Sequence, residues 1–195
     1  MNRINQLNPS TATGKTRRLF DSVQSKLGLV PNLFRVLGNS PAALEGYLQM
    51  SAALGTGALD ARVREQIALT VAEINLCSYC LSAHTFIGGK LGLTEKDMTD
   101  ARLATAARDK TDAILKLARR IVVQRGEISD ADLKSTRAAG VSDAEIVETV
   151  ANVAVNIFTN YVNHVARTVV DFPEVNPGEA SEAAETCATG CGCGD

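Results

Sequence analysis

The sequence predicts an all-α protein, a helical bundle, on three observations. Apolar residues recur at spacings of three and four along most of the chain, which is typical of amphipathic helices. No long stretch alternates apolar and polar residues, as a half-buried strand would. Glycine, proline and capping residues separate the helical segments. The 195 residues are enough for one domain, or two closely packed halves, with a substantial core.

The first three helices are predicted from the residues at their ends. Ser40 followed by Pro41 predicts an N-cap and a proline at the first helical position, where its missing N–H leaves no partner unsatisfied. This third helix should run to about Leu54. The two helices before it are predicted over residues 16–27, ended by Gly28, and from the Val30-Pro31-Asn32 turn to near Gly38 and Asn39.

The later helices are predicted mainly from their N-caps. Asp60 should begin a helix that leads toward a second helix carrying two cysteines, and Gly92 should end that second helix. Ser142 with Glu145 has the full form of a capping box. The remaining predicted helices begin after Thr94 and Ser129, with another near residues 109–125.

The stretch from Glu65 to His84 carries most of the reactive side chains. Cys77 and Cys80 form a Cys-x-x-Cys pair, and Glu65 and Glu73 precede it in an otherwise apolar run. Residues four apart share one face of a helix, so His84 can reach the sulfur of Cys80. A nearby histidine and a helix N-terminus both favour the nucleophilic thiolate over the thiol. The expected chemistry is thiol–disulfide exchange.

This stretch resembles the signature of a known family. Glu65, Cys77, Cys80 and His84 have the spacing Glu-x11-Cys-x-x-Cys-x-x-x-His of the AhpD-like alkylhydroperoxidases, within the carboxymuconolactone decarboxylase family. Tyr79 stands where AhpD itself has a second histidine, so a proton relay at that position is not implied. The wider resemblance covers about residues 15–175 and includes Val30-Pro31-Asn32-Leu33-Phe34, Ser40-Pro41 and Asp171-Phe172-Pro173.

The resemblance implies an AhpD-like helical bundle and an enzyme that reduces hydroperoxides, or a partner's disulfide, through a Cys77–Cys80 dithiol/disulfide cycle. His84 would accept the thiol proton, and Glu65 would orient or recharge His84. Cys80 is the favoured attacking thiol because of its helical contact with His84, although many Cys-x-x-Cys oxidoreductases expose the first cysteine. A thiol or dithiol reductant and a homo-oligomer, a trimer or hexamer, are also implied. No bound cofactor is predicted.

The other site candidates depend on geometry that the sequence leaves open. A continuous helix would hold Glu65 about 18 Å from Cys77, at about 1.5 Å per residue, so its role requires a break, a fold-back or a neighbouring subunit. Glu73, four residues before Cys77, is the second candidate carboxylate. Tyr79 and His164 are possible supporting residues, although a packing tyrosine and a core histidine explain them as simply.

Other functions remain open at this point. Cys77, Cys80 and His84 are also compatible with a buried structural cluster, or with a zinc site that lacks a nearby fourth ligand. A decarboxylase acting on a lactone, like the enzyme that gives the family its name, has no need of a dithiol. A non-catalytic thiol protein that binds a soft metal or metalloid is the third alternative.

The chain is predicted to divide into an N-terminal arm over residues 1–15, a helical domain over 16–173 and a flexible tail over 174–195. The tail is rich in Pro, Gly, Ser, Ala and Glu, which bury too little apolar area to offset the entropy of ordering. It carries three further cysteines, whose clustered thiolates suit Cu(I), Zn²⁺ or a thiophilic metalloid. These tentative metal ligands are Cys187, Cys191 and Cys193.

Bulk composition excludes several function classes. The formal net charge is −2 without a basic cluster, so neither nucleic acid nor an anionic membrane is a predicted partner. Residues 1–15 lack the apolar core of a signal peptide and no long apolar run follows, which predicts a cytoplasmic protein. Gly14-Lys15-Thr16 resembles the end of a phosphate-binding loop, but Pro9 stands where that loop needs its first glycine.

A weak internal repeat indicates that the two halves are related. Asp60, Glu65 and Ala68 recur at one common offset, and the second copy has no cysteine pair. If the chain arose by duplication, only the first half keeps a thiol site. The recurring residues are Asp143, Glu148 and Ala151, and the second half adds Asn156, Asn160, Tyr161, Asn163 and His164 on a predicted helix.

Overall fold

The computed structural model describes residues 2–180, and every regular element within that range is a helix. This confirms the predicted all-α fold class. None of the described helices is long and apolar enough to cross a membrane. The helices are α1 (Gly14–Leu27), α2 (Asn32–Leu37), α3 (Pro41–Leu54), α4 (Ala61–Ile74), α5 (Ser78–Lys90), α6 (Glu95–Arg102), α7 (Asp109–Val123), α8 (Asp130–Ala138) and α9 (Asp143–Ala166).

The predicted capping residues form the expected hydrogen bonds. Ser40 and Asp60 accept from the backbone N–H groups of Ala43 and Val63, at 3.3 and 3.0 Å. Ser142 forms the predicted capping box with Glu145, and the same arrangement occurs at the start of α6. The first helix begins at Gly14, two residues earlier than predicted.

Helix α4 is the centre of the bundle, because it packs against α5, α6, α7 and α9. Because these helices surround α4, Ile67, Leu69 and Val71 are all fully buried although they do not lie on one face of the helix. Helix α9, at 24 residues, crosses α3, α4, α5 and α7. It turns a row of asparagine and threonine side chains toward this core, so the interior next to α5 is polar.

The chain reverses direction between α4 and α5, over residues 75–77. Leu76 has a φ of +54°, in the left-handed region that ends helices, and the N–H of Cys77 donates to the carbonyl of Ala72 at 2.9 Å. Side chains of α9 hold this turn in place. Asn75 donates to the side-chain oxygen of Asn160 at 2.9 Å, and His164 Nε2 donates to the carbonyl of Asn75 at 2.8 Å.

The structure differs from the prediction at the start of the expected flexible tail. Val175 donates its N–H to Ser82 Oγ at 2.9 Å, and Gly178 donates to Glu73 at 2.6 Å. Ala180 is buried. The amino-acid composition could not predict this attachment, because Glu73 and Ser82 bind backbone N–H groups of the segment. Such groups are present whatever the side chains of the segment are. The three tail cysteines lie outside the described residues.

Candidate active site

The cysteine pair lies at the start of α5, beneath the reversal that follows α4. Cys77 is the N-cap residue, and its sulfur accepts from the N–H of Cys80 at 3.4 Å. Both residues are only 2% exposed, and neither is in a disulfide. The sulfurs therefore lie at the positive end of a helix dipole and away from bulk water.

Helix α9 supplies the polar surroundings of Cys80. The side-chain amide of Asn163 donates to the sulfur at 3.2 Å, and Thr159 Oγ1 lies 4.0 Å from it. Asn160, which also holds the turn before α5, contributes a second amide on this side. The Asn163 amide therefore replaces part of the hydration that a thiolate loses on burial.

The two thiols have opposite acidities. Interaction between the two side chains is the largest cause of both shifts: it raises the pKa of Cys77 and lowers the pKa of Cys80. Burial works against the Cys80 thiolate, whereas His84, Asn163 and Asn160 favour it. Cys80 is therefore the thiolate of the pair, and Cys77 keeps its proton.

The reversal of the chain brings Glu65 to His84. Nδ1 of the histidine lies 2.7 Å from Oε2 of the glutamate, and both side chains are mostly buried. Because a carboxylate only accepts, Nδ1 carries the hydrogen and Nε2 is left to gain or lose a proton. Burial opposes the charged imidazole, but Glu65 outweighs it, so the pKa of His84 lies above its ordinary value.

The three remaining candidates have other contacts. Glu73 is bound by Arg102 at 2.8 Å and by the backbone of Gly178, so its carboxylate anchors α6 and the C-terminal segment. The Tyr79 hydroxyl accepts from the N–H of Leu33 at 3.0 Å, and burial raises its pKa. His164 is exposed and holds the turn between α4 and α5, as the fold requires.

Sequence reasoning missed four residues beside Cys80 and His84. Asn163, Asn160 and Thr159 surround the sulfur, and half-buried Tyr47 lines the cavity that contains Cys80, with its pKa raised to about 12, mainly by desolvation. The signal for the asparagines was present. Their regular helical spacing places several amides on the buried face of one helix, where polar side chains need partners.

A cavity of about 390 Å³ opens onto the thiol pair from the side of α1, α2 and α5. Cys80, His84, Tyr47 and Thr159 form its polar wall, and most of the other lining residues are apolar. Its size lies in the usual range for small-molecule sites, about 300–1,000 Å³. Cys77 does not line this cavity, so an entering molecule meets Cys80 first.

Within residues 2–180, no group of three or more His, Cys, Asp or Glu side chains is arranged to hold a metal ion. Cys77 instead accepts from the N–H of Cys80, Cys80 accepts from Asn163, and His84 is paired with Glu65.

Part of the chain, including the residues of this site, matches a known protein family. Residues 41–124, which contain the cysteine pair with Glu65 and His84, match the carboxymuconolactone decarboxylase family. No curated protein matches the chain.

Solved structures with the same architecture cover nearly the whole chain. An AhpD-core, uncharacterized peroxidase-related protein from Ralstonia eutropha JMP134 has a TM-score of 0.78 at 22% identity, over 87% of this chain and 92% of its own. An uncharacterized peroxidase-related protein from Silicibacter sp. TM1040 has a TM-score of 0.73 at 25% identity, over 87% and 94%. The debrominase Bmp8 has a TM-score of 0.73 at 17% identity, over 87% and 92%. The fold is AhpD-like.

Proposed function

From the carboxymuconolactone decarboxylase match over residues 41–124 and the AhpD-like fold, we propose that this chain is a thiol-dependent peroxidase. Hydroperoxides would be reduced through a dithiol/disulfide cycle of Cys77 and Cys80. One observation carries the proposal: Cys80, whose pKa is lowered, lies in the wall of a cavity, and Cys77, which accepts from the N–H of Cys80 at 3.4 Å, lies beside it outside the cavity lining.

In the first step, the Cys80 thiolate attacks the O–O bond of the hydroperoxide. An S–O bond forms and the O–O bond breaks, so the sulfur is oxidised to a sulfenic acid and the peroxide is reduced to an alkoxide. His84, which took the thiol proton, returns it to the alkoxide and releases the alcohol. Glu65 stabilises the imidazolium in between and fixes its tautomer through Nδ1.

In the second step, the sulfur of Cys77 attacks the sulfenic acid. The disulfide forms, and the proton of Cys77 leaves with the hydroxyl group as water. The hydrogen bond from the N–H of Cys80 to the Cys77 sulfur, at 3.4 Å, holds Cys77 in place for this reaction. An external thiol or dithiol then reduces the disulfide and completes the cycle.

A single-turnover experiment with the reduced protein and cumene hydroperoxide tests this function. Cys80→Ser should abolish fast oxidation, whereas Cys77→Ser should stop at a sulfenic acid that dimedone traps on Cys80, identified by peptide mass spectrometry. Cys187→Ser, at a distance in the sequence from the pair, is the matched control and should retain disulfide formation between Cys77 and Cys80. Full turnover in both core variants would contradict the proposal.

A further inference from the structure

The cavity in front of Cys80 combines a mainly apolar lining with two lysine side chains. Most of the residues that line it are aliphatic or aromatic. This lining favours an apolar molecule over a small polar one such as hydrogen peroxide. The apolar walls include Leu27, Leu29, Phe34, Phe86, Ile87 and Phe172.

Two lysines supply the fixed positive charge of the cavity. Lys26 lies in the last turn of α1 and Lys90 in the last turn of α5, and both are exposed cavity-lining residues. The cavity lining contains no Asp or Glu. Neither lysine forms an ion pair with a carboxylate of residues 2–180, and Lys90 instead lies 4.3 Å from the ring centroid of Phe86.

We propose that the cavity selects hydroperoxides that combine an apolar body with a carboxylate. The apolar part would lie among the aromatic and aliphatic side chains, with the hydroperoxide at Cys80 and the carboxylate at Lys26 and Lys90. This assignment of a substrate class rests on the proposed peroxidase function. It follows from the presence, in one mainly apolar cavity, of Cys80 and of two lysines that form no ion pair with residues 2–180, since neutral alkyl hydroperoxides would leave both lysines without a role.

The apolar body and the charge contribute differently. Burial of the chain provides most of the affinity, because the transfer of apolar surface from water is the main favourable contribution to binding. The lysines are exposed, so each carboxylate contact is screened and should change affinity by only about two- to fivefold. The charge therefore determines which amphipathic molecules are preferred, and the preference should weaken as salt is added.

Binding of unreactive analogues tests the ligand class without requiring turnover. Decanoate and decanol have similar apolar chains and differ in charge, and each can be titrated against the neutral fluorophore N-phenyl-1-naphthylamine bound to the reduced full-length protein. Decanoate should compete several-fold better at low salt. Lys26→Gln and Lys90→Gln should each reduce this advantage, and the double variant should remove it.

Lys134→Gln is the matched control, since Lys134 is exposed on α8 and does not line the cavity. Equal competition by decanoate and decanol, or an equal loss in the Lys134 variant, would overturn the proposal. In turnover, the Lys26 and Lys90 variants should raise KM for a fatty-acid hydroperoxide several-fold more than KM for cumene hydroperoxide, whereas Lys134→Gln should change neither. Charge-selective binding without any peroxide reduction would refute the peroxidase function and support the ligand class alone.

Discussion

A buried thiolate is stable only where hydrogen-bond donors replace the water that it has lost. Cys80 is 2% exposed, and the amide of Asn163 is 3.2 Å from its sulfur. A hydrogen bond to a charged group contributes about 1.5–3 kcal/mol, which corresponds to roughly tenfold or more in the thiolate-to-thiol ratio. At the scale of single residues, reactivity should therefore depend on α9 as much as on the cysteine motif.

Asn163→Ala should lower the thiolate-to-thiol ratio of Cys80 about tenfold, because the donor to the thiolate is lost. From a pKa of about 6, this should slow alkylation by iodoacetamide at pH 7 about twofold. The midpoint of the pH profile should move toward alkaline pH, as followed by mass spectrometry of the Cys80 peptide. Asn152→Ala is the control. Its amide is buried on the same helix but donates to the carbonyl of Glu148, so its profile should not move. A shift of the same size in both variants would contradict the assigned contact.

His84→Gln should also shift the Cys80 profile toward alkaline pH, for an electrostatic reason. Between the lowered pKa of Cys80 and the raised pKa of His84, the thiolate and the imidazolium coexist. Above that window His84 loses its proton and no longer favours the thiolate, and below it the thiol itself is protonated. His164→Gln keeps a donor for the carbonyl of Asn75 and should leave alkylation unchanged. An unaltered profile in the His84 variant would make it a packing residue.

At the scale of helices, the site depends on the reversal between α4 and α5. Leu76 adopts a left-handed φ of +54° there, whereas Leu91 at the end of α5 has a φ of −83°. Both leucines are exposed. Only a residue without a Cβ enters the left-handed region without a steric cost, which is about 1–2 kcal/mol for ordinary residues.

Leu76→Gly should therefore raise or leave unchanged the melting temperature, since relief of the steric cost offsets the greater entropy of the unfolded glycine. Leu91→Gly should lower the melting temperature. Leu91 has an ordinary φ, so the substitution relieves no steric cost and only increases the entropy of the unfolded chain. The comparison is made by thermal denaturation of both variants. If the two glycine variants lost equal stability, Leu76 would not be strained.

The C-terminal segment should stabilise the bundle up to residue 180. Truncation after Val175 removes the Gly178 contact to Glu73 and exposes the surface that buries Ala180. The melting temperature of this truncated chain should therefore fall below that of a chain ending at Ala180. Calorimetry of the two truncated chains measures the difference. Equal melting temperatures would support the domain boundary at residue 174 that composition predicts.

The sequence predicted the helices well and the site only in part, for a physical reason. Caps at Ser40, Asp60 and Ser142 are local signals, since each side chain bonds within its own first turn. The reversal at residues 75–77 is not local. It is held by contacts from Asn160 and His164 on α9, more than 80 residues away, and Leu76 is not a glycine that would have marked it.

The difference between local and long-range contacts also explains which candidate site residues the sequence identified. Glu65 and His84 were identified through the motif, and their contact became geometrically possible only after the reversal. Asn163 and Tyr47 reach Cys80 through tertiary packing and belong to no motif. Glu148 shows that the internal repeat is a poor guide to chemistry, since it binds the backbone of residues 58–59 rather than a histidine.

At the scale of the whole molecule, helix α9 turns its polar face toward the core and its apolar face toward the solvent. Its inner face is rich in Asn and Thr, and its outer face carries large apolar side chains that are 39–67% exposed and that share one side of the helix, at successive spacings of three, eight, three and four. A helix of this kind in a soluble protein normally turns its apolar face inward. An exposed apolar stripe marks a surface that another molecule covers. Its residues are Val147, Val150, Phe158, Tyr161 and Val165.

A second copy of the chain is the expected occupant of this face, in line with the oligomers that the family resemblance implies. The protein should therefore exceed its chain mass of 20.6 kDa in light scattering at micromolar concentration. Val147→Lys with Val165→Lys should reduce the particle mass, because each charge would have to be desolvated in the interface. Val123→Lys, at an exposed valine on α7 outside the stripe, should not change the mass. A wild-type particle of one chain would show that α9 tolerates its apolar face in water, and the reversed polarity would then reflect only the amides that Cys80 requires on the inner side.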